Sequence, residues 1–293
     1  SHLIDVGHEY FCKKAIEERI LERKDGIRAS AIGTGLSYLD WLLGGGLCKR
    51  ELGVFLGPSS RGKSLTMVVL GKNCLLNNKV VFHYVVEGGD LEIASRYDAS
   101  ILGVYHKYLS KYPDELRNKL NEMKDRLKSN LLIKWLPYEK ATVSDIKAHI
   151  ISVMQIRKII PDIILIDYAD VLRPTYSKYK EKRLDQAEIY RELKSLSLEF
   201  NTRIWTPAQS TKVSATKQII YKEDMGEAYA KAQIADIIIT INQTEEEKKQ
   251  RLARFFLAKM RNYEDFGTCC LKVESAKMDI IWDRERQSIE DSE

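Results

Sequence analysis

The sequence predicts an α/β fold: a twisted, mostly parallel β-sheet with helices packed on both of its faces. Short apolar runs without polar alternation, such as residues 52–56 and 163–166, indicate strands that are buried on both faces, as in parallel sheets. Longer segments with apolar residues at helical spacing separate these runs, which is the pattern of repeated β-α-β units. With 293 residues, 44% of them hydrophobic, the chain can bury one large core and carry a short appendage.

Composition and charge narrow the classes of protein to which the chain can belong. The formal net charge is only +5, so any contact with nucleic acid must come from local basic loops. The five cysteines contain no C-x-x-C pair and no repeated spacing, which argues against a zinc site or a disulfide framework and fits a reducing cytoplasm. The sequence shows no signal peptide and no apolar run long enough to span a bilayer, so no membrane partner is expected.

The first 26 residues (1–26) are predicted to form a linker or arm helix that precedes the main domain at 27–293. Within residues 9–23, Ile16 and Ile20 share the apolar face of an amphipathic helix. Such a helix either docks on its own domain or grips a neighbouring subunit, and the sequence leaves both alternatives open.

The apolar run at 52–56 leads into the octapeptide G-x-x-x-x-G-K-S, the phosphate-binding loop of nucleoside triphosphatases. Its residues are Gly57, Pro58, Ser59, Ser60, Arg61, Gly62, Lys63 and Ser64. Glycines at both ends let successive backbone N–H groups point at an anion, and the start of the following helix adds its positive dipole end. Lys63 would reach the terminal phosphates of ATP, and the Ser64 hydroxyl would be a ligand of the accompanying Mg²⁺.

A second signature of ATP binding lies about a hundred residues further on. Residues 163–167 form an apolar strand that ends in Asp167, which is the Walker B pattern. An unpaired carboxylate there would be costly unless a cation satisfies it, so Asp167 is expected to hold Mg²⁺ through its water shell. Asp170 follows closely, and the sequence leaves open whether it is a second acid near the metal.

The segment before the phosphate loop gives the first resemblance to a known family. Residues 34–40 form the pattern T-G-x-x-x-L-D, and a glycine cluster follows at 44–46. Followed by a strand and the phosphate loop, this order resembles the start of the RecA-like core that DnaB-type helicases, RadA and KaiC share. The resemblance covers about residues 30–282, with five motifs in the family's order, and the pattern is most similar to that of phage replicative helicases.

The resemblance implies roles for residues outside the two phosphate motifs. Glu87, at the carboxyl end of a buried strand, corresponds to the family's general base, which deprotonates the attacking water. Gln209 ends another strand and corresponds to the residue that senses the terminal phosphate. Lys259 and Arg261, in the string K-x-R-N, correspond to cations that reach the nucleotide of the adjacent subunit, with Arg261 as the arginine finger. For Arg96, a salt bridge and a nucleotide contact both remain open.

Two basic segments are expected to contact single-stranded DNA, because each follows a core strand where the ring helicases that the chain resembles carry channel loops. The first segment, 173–183, combines five positive charges with two tyrosines able to stack on bases, and a merely solvated loop is the alternative. The second segment, 210–223, places lysines among small hydroxyl residues. The residues predicted to bind DNA are Arg173, Lys178, Lys180, Lys182, Arg183, Lys212 and Lys217.

The resemblance as a whole implies an ATP-dependent replicative DNA helicase motor, with ATP and Mg²⁺ as cofactors. It would hydrolyse ATP at the interfaces of a homo-oligomeric ring, a hexamer in the family, and move 5′ to 3′ along single-stranded DNA to unwind duplex. A RadA-like recombinase and a KaiC-like regulatory ATPase are the alternatives. The primase-contacting N-terminal domain typical of these helicases does not precede the core in this sequence, so primase and helicase-loader contacts stay open. The expected location is the cytoplasm, including that of a phage-infected host.

Overall fold

The computed structural model describes residues 10–21, 28, 30–176, 182–210, 219–221, 229–261 and 267–291. In this part of the chain the strands are β1 (Leu52–Gly57), β2 (Val80–Val85), β3 (Asn130–Trp135), β4 (Ile163–Asp167), β5 (Arg203–Gln209), β6 (Ile237–Asn242), β7 (Leu252–Met260), β8 (Thr268–Glu274) and β9 (Asp279–Trp282). The helices are α1 (Lys13–Leu21), α2 (Ser37–Leu42), α3 (Lys63–Leu76), α4 (Asp90–Leu102), α5 (Pro113–Arg126), α6 (Val143–Arg157), α7 (Lys182–Glu199), α8 (Tyr229–Ile234), α9 (Glu245–Lys249) and α10 (Arg284–Glu290).

The strands in the described residues form one sheet in the order β3-β2-β4-β5-β1-β6-β7-β8-β9. Strands β1 to β6 pair in parallel, and β7 to β9 extend the sheet as an antiparallel meander. Every residue of β1, β4 and β6 is buried, which explains why their sequences show no polar alternation. The mostly parallel sheet predicted from the sequence is confirmed.

Helices cover both faces of this sheet and close a core on each side. On one face, α6 and α7 bury Ile150 and Leu193 in a cluster that includes Val54 of β1. On the other face, α3 buries Met67 in a second cluster that includes Phe55 of β1. Adjacent residues of β1 therefore serve opposite cores, as the alternation of side chains along a strand requires. None of the helices in the described ranges is both long and apolar enough to cross a membrane.

Local signals in the sequence determine some helix boundaries and miss others. Thr142 and Asp145 form the predicted capping box at the start of α6, with each side chain accepting a hydrogen bond from the other residue's backbone N–H. Helix α7 begins at Lys182, and its first turns are mostly polar, so the apolar spacing of the sequence marks only its later part. Helix α1 begins at Lys13, later than the predicted start at residue 9, and residues 22–23 of that prediction lie outside the described part of the chain. The domain division at residue 26 stays a prediction.

The T-G-x-x-x-L-D pattern closes a turn ahead of β1. The Asp40 carboxylate accepts hydrogen bonds from the Thr34 N–H at 2.6 Å, the Thr34 hydroxyl at 2.8 Å and the Gly35 N–H at 2.9 Å. The amide of Asn73 in α3 donates to the Thr34 carbonyl at 2.9 Å. Burial raises the pKa of Asp40, and the bonds from Thr34 and Gly35 oppose that shift. The turn is thereby fixed to the helix that follows the phosphate loop.

Gly71 gives a test of how tightly α3 is packed. Replacing an interior helical glycine by alanine ordinarily stabilises a helix by about 1 kcal/mol. At Gly71, however, a Cβ would lie 1.9 Å from the hydroxyl oxygen of Tyr97, which also hydrogen bonds to buried His83. We therefore expect Gly71→Ala to lower the free energy of unfolding by about 1–3 kcal/mol in urea denaturation. Tyr97→Phe removes the clashing oxygen, so Gly71→Ala should cost less free energy of unfolding in the double variant than it does alone. A loss in the double variant equal to the sum of the two single losses would contradict this packing.

Candidate functional site

The carboxyl ends of four parallel strands meet at one edge of the sheet, and most predicted nucleotide residues lie there. Gly57 at the end of β1 is opposite Gln209 at the end of β5. Asp167 at the end of β4 is opposite Val85 of β2, two residues before Glu87. A cleft of about 430 Å³ opens at this edge, lined by residues of the phosphate loop together with Glu87, Asp167 and Gln209. Residues from four separate stretches of the sequence therefore share one cleft.

The phosphate loop turns sharply between β1 and α3. Ser60 and Gly62 both have positive φ, of 59° and 80°, and glycine adopts this conformation without strain. The Gly62 carbonyl accepts from the N–H and the hydroxyl of Thr66, at 2.8 and 2.9 Å, which closes the first turn of α3. Because the N–H groups of a first helical turn lack intrahelical partners, this end presents donors and a positive dipole to the cleft.

Lys63 is held over the loop by the loop's own carbonyl groups. Its ammonium donates to the carbonyl oxygens of Gly57 at 3.0 Å and Pro58 at 2.7 Å. Burial lowers the pKa of Lys63, and the carboxylates of Asp170, Asp167 and Glu87 oppose this shift, in that order. The cation therefore lies in a partly desolvated position, where its attraction to a phosphate would be screened less than in water.

Asp167 is a buried carboxylate next to the start of α3. It is only 4% exposed and accepts a hydrogen bond from the Ser64 hydroxyl. Burial raises its pKa to about 6, and the bond from Ser64 is the largest opposing effect. A hydroxyl beside a buried carboxylate is a set of hard oxygen donors, which fits Mg²⁺. No group of three or more His, Cys, Asp or Glu residues forms a metal cluster among the described residues, so phosphate and water oxygens would have to complete the shell.

Glu87 is exposed in the cleft and has a partner that the sequence reasoning missed. The hydroxyl of Tyr168 donates to Glu87 Oε1 at 3.1 Å. Burial raises the pKa of Tyr168 above its usual value, and the charge of Glu87 raises it further, so this hydroxyl remains a donor. The signal in the sequence was the tyrosine of the I-D-Y string, which directly follows Asp167.

Gln209 connects the end of β5 to the phosphate loop. Its side-chain amide donates to the Ser59 hydroxyl at 2.7 Å, so the amide lies beside the loop. Its backbone N–H donates to Asp170 Oδ2 at 3.0 Å. Side chain and backbone of this residue therefore contact different parts of the site.

Two arginines flank the cleft. Arg96 pairs with Glu92 one turn earlier on α4 and also lines the cleft, where its charge lowers the pKa of Asp167. Arg96 therefore forms the salt bridge that was one alternative, and it also lies in the cleft, as the other alternative, a nucleotide contact, requires. Arg61 extends away from the loop to Glu245 of α9, with 2.7 Å between the guanidinium and the carboxylate.

Asp170 forms a buried ion pair instead of an open metal position. Its Oδ1 accepts from the Lys231 ammonium at 2.7 Å and from the Tyr190 hydroxyl at 2.9 Å, while its Oδ2 accepts from the Gln209 N–H. The side chains of Asp170 and Lys231 are each 7% exposed. Both carboxylate oxygens are engaged by protein donors, so this acid is structural in the arrangement described.

Lys259 and Arg261 lie at the opposite edge of the sheet. The Lys259 ammonium donates to the carbonyls of Gln233 at 3.2 Å and Ala235 at 2.5 Å, just before β6 begins. Arg261 Nε lies 3.3 Å from Asp236 Oδ1, and the other oxygen of Asp236 accepts the N–H of Leu52 at the start of β1. The five residue steps of β1 separate this position from Gly57 by about 17 Å. The two cations are therefore not part of the chain's own nucleotide cleft.

Most predicted DNA contacts lie outside the described residues. These are Lys178, Lys180, Lys212 and Lys217, and the side chains of Lys182 and Arg183, whose backbones begin α7, are not described either. Arg173 is exposed at the start of the first segment, and its N–H donates to the Ala141 carbonyl. Tyr176 beside it is 73% exposed, and Thr175 donates from both its N–H and its hydroxyl to Glu192 of α7.

The chain matches the family model for the DnaB-like helicase C-terminal domain over residues 31–279. It is also 24% identical over 250 residues to the DnaB-like replicative helicase of Enterobacteria phage T4, which covers 82% of this chain and 51% of that protein. The chain therefore spans about half the length of this curated relative.

Two solved structures share the fold. One, described as an ATPase domain, has a TM-score of 0.75 at 21% identity, covering 92% of this chain and 96% of that one. The other, a DnaB-like replicative helicase described together with its interactions with primase, has a TM-score of 0.76 at 20% identity, covering 95% and 68%. At sequence identities this low, the two structures establish only that the fold is shared. The family match extends over most of the length of this chain. The chain therefore belongs to the DnaB-like helicase C-terminal domain family, as its motifs predicted.

Proposed function

We propose that this chain is the motor domain of an ATP-dependent replicative DNA helicase. The observation that carries the proposal is the separation of two complementary groups of residues. The phosphate loop and Asp167 lie at the carboxyl edge of the sheet, whereas Lys259 and Arg261 lie at the amino edge, about 17 Å away along β1. A head-to-tail ring would place the amino edge of one copy against the carboxyl edge of the next and so combine both groups on one nucleotide.

Within one copy, the phosphates of ATP would lie in the loop. Lys63 would neutralise the terminal phosphates, because its ammonium already lies over the loop carbonyls and faces buried carboxylates. Ser64 would hold Mg²⁺ directly and Asp167 would hold it through water. The chemistry that Mg²⁺ would supply at these residues is positive charge, which offsets the negative charge that develops on the phosphate during hydrolysis.

Glu87 would accept a proton from the attacking water. The hydrogen bond from Tyr168 orients one carboxylate oxygen of Glu87 and leaves the other for the water. Gln209 lies beside Ser59 of the loop, where its amide would donate to an oxygen of the terminal phosphate. Both residues would act only on a phosphate that is correctly bound in the loop.

Arg261 from the neighbouring copy would complete the site, with Lys259 as its companion. Its side chain is 51% exposed and its pair with Asp236 is long, at 3.3 Å, so the guanidinium can exchange that partner for a phosphate at modest cost. Hydrolysis would then depend on subunit contacts, and a ring of six copies as in the family would contain six such sites.

The two basic segments would carry the single-stranded DNA. Arg173 and the exposed ring of Tyr176 are suited to a phosphate and a base, and the lysines and arginine of 178–183 and the lysines at 212 and 217 would extend this contact. Movement 5′ to 3′ follows by similarity to the family. A primase and a helicase loader as partners, and the cytoplasm of a phage-infected host as location, extend the same proposal, because the relatives are a phage helicase and a helicase described with primase.

The proposal predicts unwinding of a forked duplex that carries a free 5′ tail, in the presence of ATP and Mg²⁺. ATP hydrolysis is expected to rise with single-stranded DNA, because the segments at 173–183 and 210–223 would sense the strand. Gel-resolved unwinding and steady-state hydrolysis measure the two effects. Stimulated hydrolysis without unwinding would favour a RadA-like recombinase, and no response to DNA would leave a KaiC-like regulatory ATPase.

Mixing two inactive variants tests the shared site. Lys63→Ala and Arg261→Ala should each lower ATP hydrolysis on the order of a thousandfold, because the first loses the loop cation and the second the finger. A one-to-one mixture should recover roughly a quarter of wild-type activity, since random neighbours combine an intact loop with an intact finger at one interface in four. A mixture as inactive as its components, at a concentration where wild-type rings form, would contradict a finger supplied by the neighbour.

Asp167 should reduce the stability of the protein when nucleotide and metal are withheld. Its pKa is raised from 3.8 to about 6, so folding costs free energy above that pH and this cost disappears as pH falls below about 4. Asp167→Asn removes the charge and should raise the free energy of unfolding by about 3 kcal/mol at neutral pH, with a smaller gain at about pH 5. Urea denaturation in a chelator measures both. Equal stability of the two proteins at neutral pH would contradict the buried charge.

A further inference from the structure

The ion pair between Asp170 and Lys231 lies where four elements of the chain meet. Asp170 lies in a short 3-10 turn (Ala169–Val171) that follows β4. Its carboxylate accepts from Gln209 at the end of β5, from Tyr190 of α7 and from Lys231 of α8. The Lys231 ammonium also lies 5.5 Å from the centre of the Tyr190 ring, a cation–π distance. One carboxylate therefore joins the turn, a strand end and two helices.

These four elements are the attachment points of both predicted DNA-binding segments. The segment at 173–183 runs from the turn that carries Asp170 to α7, which carries Tyr190. The segment at 210–223 starts directly after Gln209, and α8, which carries Lys231, follows it in the chain. The first segment is therefore flanked on both sides by elements bonded to Asp170, and the second segment directly follows one such residue, Gln209. Thr175 and Glu192 add a second bond between the turn side and α7.

The same carboxylate is connected to the nucleotide cleft through a single residue. Gln209 donates its backbone N–H to Asp170 and its side-chain amide to Ser59 of the phosphate loop. If the side chain exchanges Ser59 for a terminal phosphate, any accompanying movement of the backbone at the end of β5 would act on the N–H that bonds to Asp170. The Asp170 and Lys231 side chains are each only 7% exposed, so water screens this ion pair poorly and the pair ties α8 to the same carboxylate.

We propose that the Asp170–Lys231 pair positions the two DNA-binding segments relative to Gln209, so that the state of the bound nucleotide sets the affinity for single-stranded DNA. This inference rests on the proposed function. Asp170 and Lys231 are positioning residues here, because neither contacts the nucleotide or the strand in this arrangement. Their charge pairing keeps Gln209, α7 and α8 moving as one unit.

Lys231→Met tests the proposal, since it keeps the length of the side chain and removes its charge. The readout is the ratio of dissociation constants for a fluorescent oligothymidylate, measured with ADP and with a non-hydrolysable ATP analogue. We expect the wild type to bind about tenfold more tightly in one nucleotide state than in the other. In Lys231→Met the ratio should fall to within about twofold of one, with nucleotide affinity retained.

Lys194→Met is the matched control. Lys194 also forms an ion pair from α7, with Asp236 at 2.6 Å and side chains 21% and 4% exposed, but this pair lies at the amino edge next to the start of β1. Lys194→Met should lower the unfolding midpoint, as Lys231→Met does, but it should keep the nucleotide-dependent ratio of dissociation constants. If Lys194→Met also abolishes the ratio, loss of any buried ion pair suffices and the proposal is overturned.

The double variant Asp170→Asn with Lys231→Met separates positioning from stability. In this double variant the asparagine at position 170 still offers an oxygen to the Gln209 N–H. Unlike Lys231→Met alone, it leaves no buried carboxylate without its cation. The unfolding midpoint should recover toward the wild type while the ratio stays near one, and this variant also serves if Lys231→Met fails to fold. A restored ratio would overturn the proposal and leave the pair a structural role. A wild type without any nucleotide-dependent ratio would overturn the proposed function and this inference together, whereas an unchanged ratio in Lys231→Met overturns this inference alone.

Discussion

The packing of β1 against β5 is the constraint on which the nucleotide cleft depends. Gly53 of β1 lies against the ring of Trp205 in β5, so closely that a Cβ at Gly53 would lie 2.3 Å from the indole. In the register that brings Gly53 opposite Trp205, Gly57 is level with Gln209. Because parallel strands end at the same edge, the pairings of β4 and β2 add Asp167 and Glu87 to it. The phosphate loop, the buried acid and the amide thus share one position in space.

Two buried carboxylates near this edge have different surroundings and so different chemistry. Asp170 is satisfied by an ammonium, a phenol and a backbone N–H, and such a network fixes the elements that it joins. Asp167 accepts from the Ser64 hydroxyl, and its raised pKa reflects a negative charge that the protein leaves incompletely compensated. A cation would remove that cost. The contrast explains how acids three residues apart can serve structure and ligand binding separately.

A third buried carboxylate organises the opposite edge. Asp236 accepts from the N–H of Leu52 and the ammonium of Lys194, and it pairs with Arg261. Leu52, which donates to Asp236, begins β1, and β1 ends in the phosphate loop. One strand therefore connects the two edges of the sheet.

The sequence alone determined the fold class and the family and predicted the phosphate loop and Asp167, because these depend on local patterns: apolar runs, glycine spacing and motif order. It also identified Glu87 and Gln209 as candidates through their positions at strand ends. The partner of Glu87, the ion pair of Asp170 and the location of Arg261 on the far edge required the tertiary structure. Each of these depends on contacts between residues distant in sequence, such as Asp170 with Lys231, and no local pattern encodes which strand edge or helix face two such residues will share.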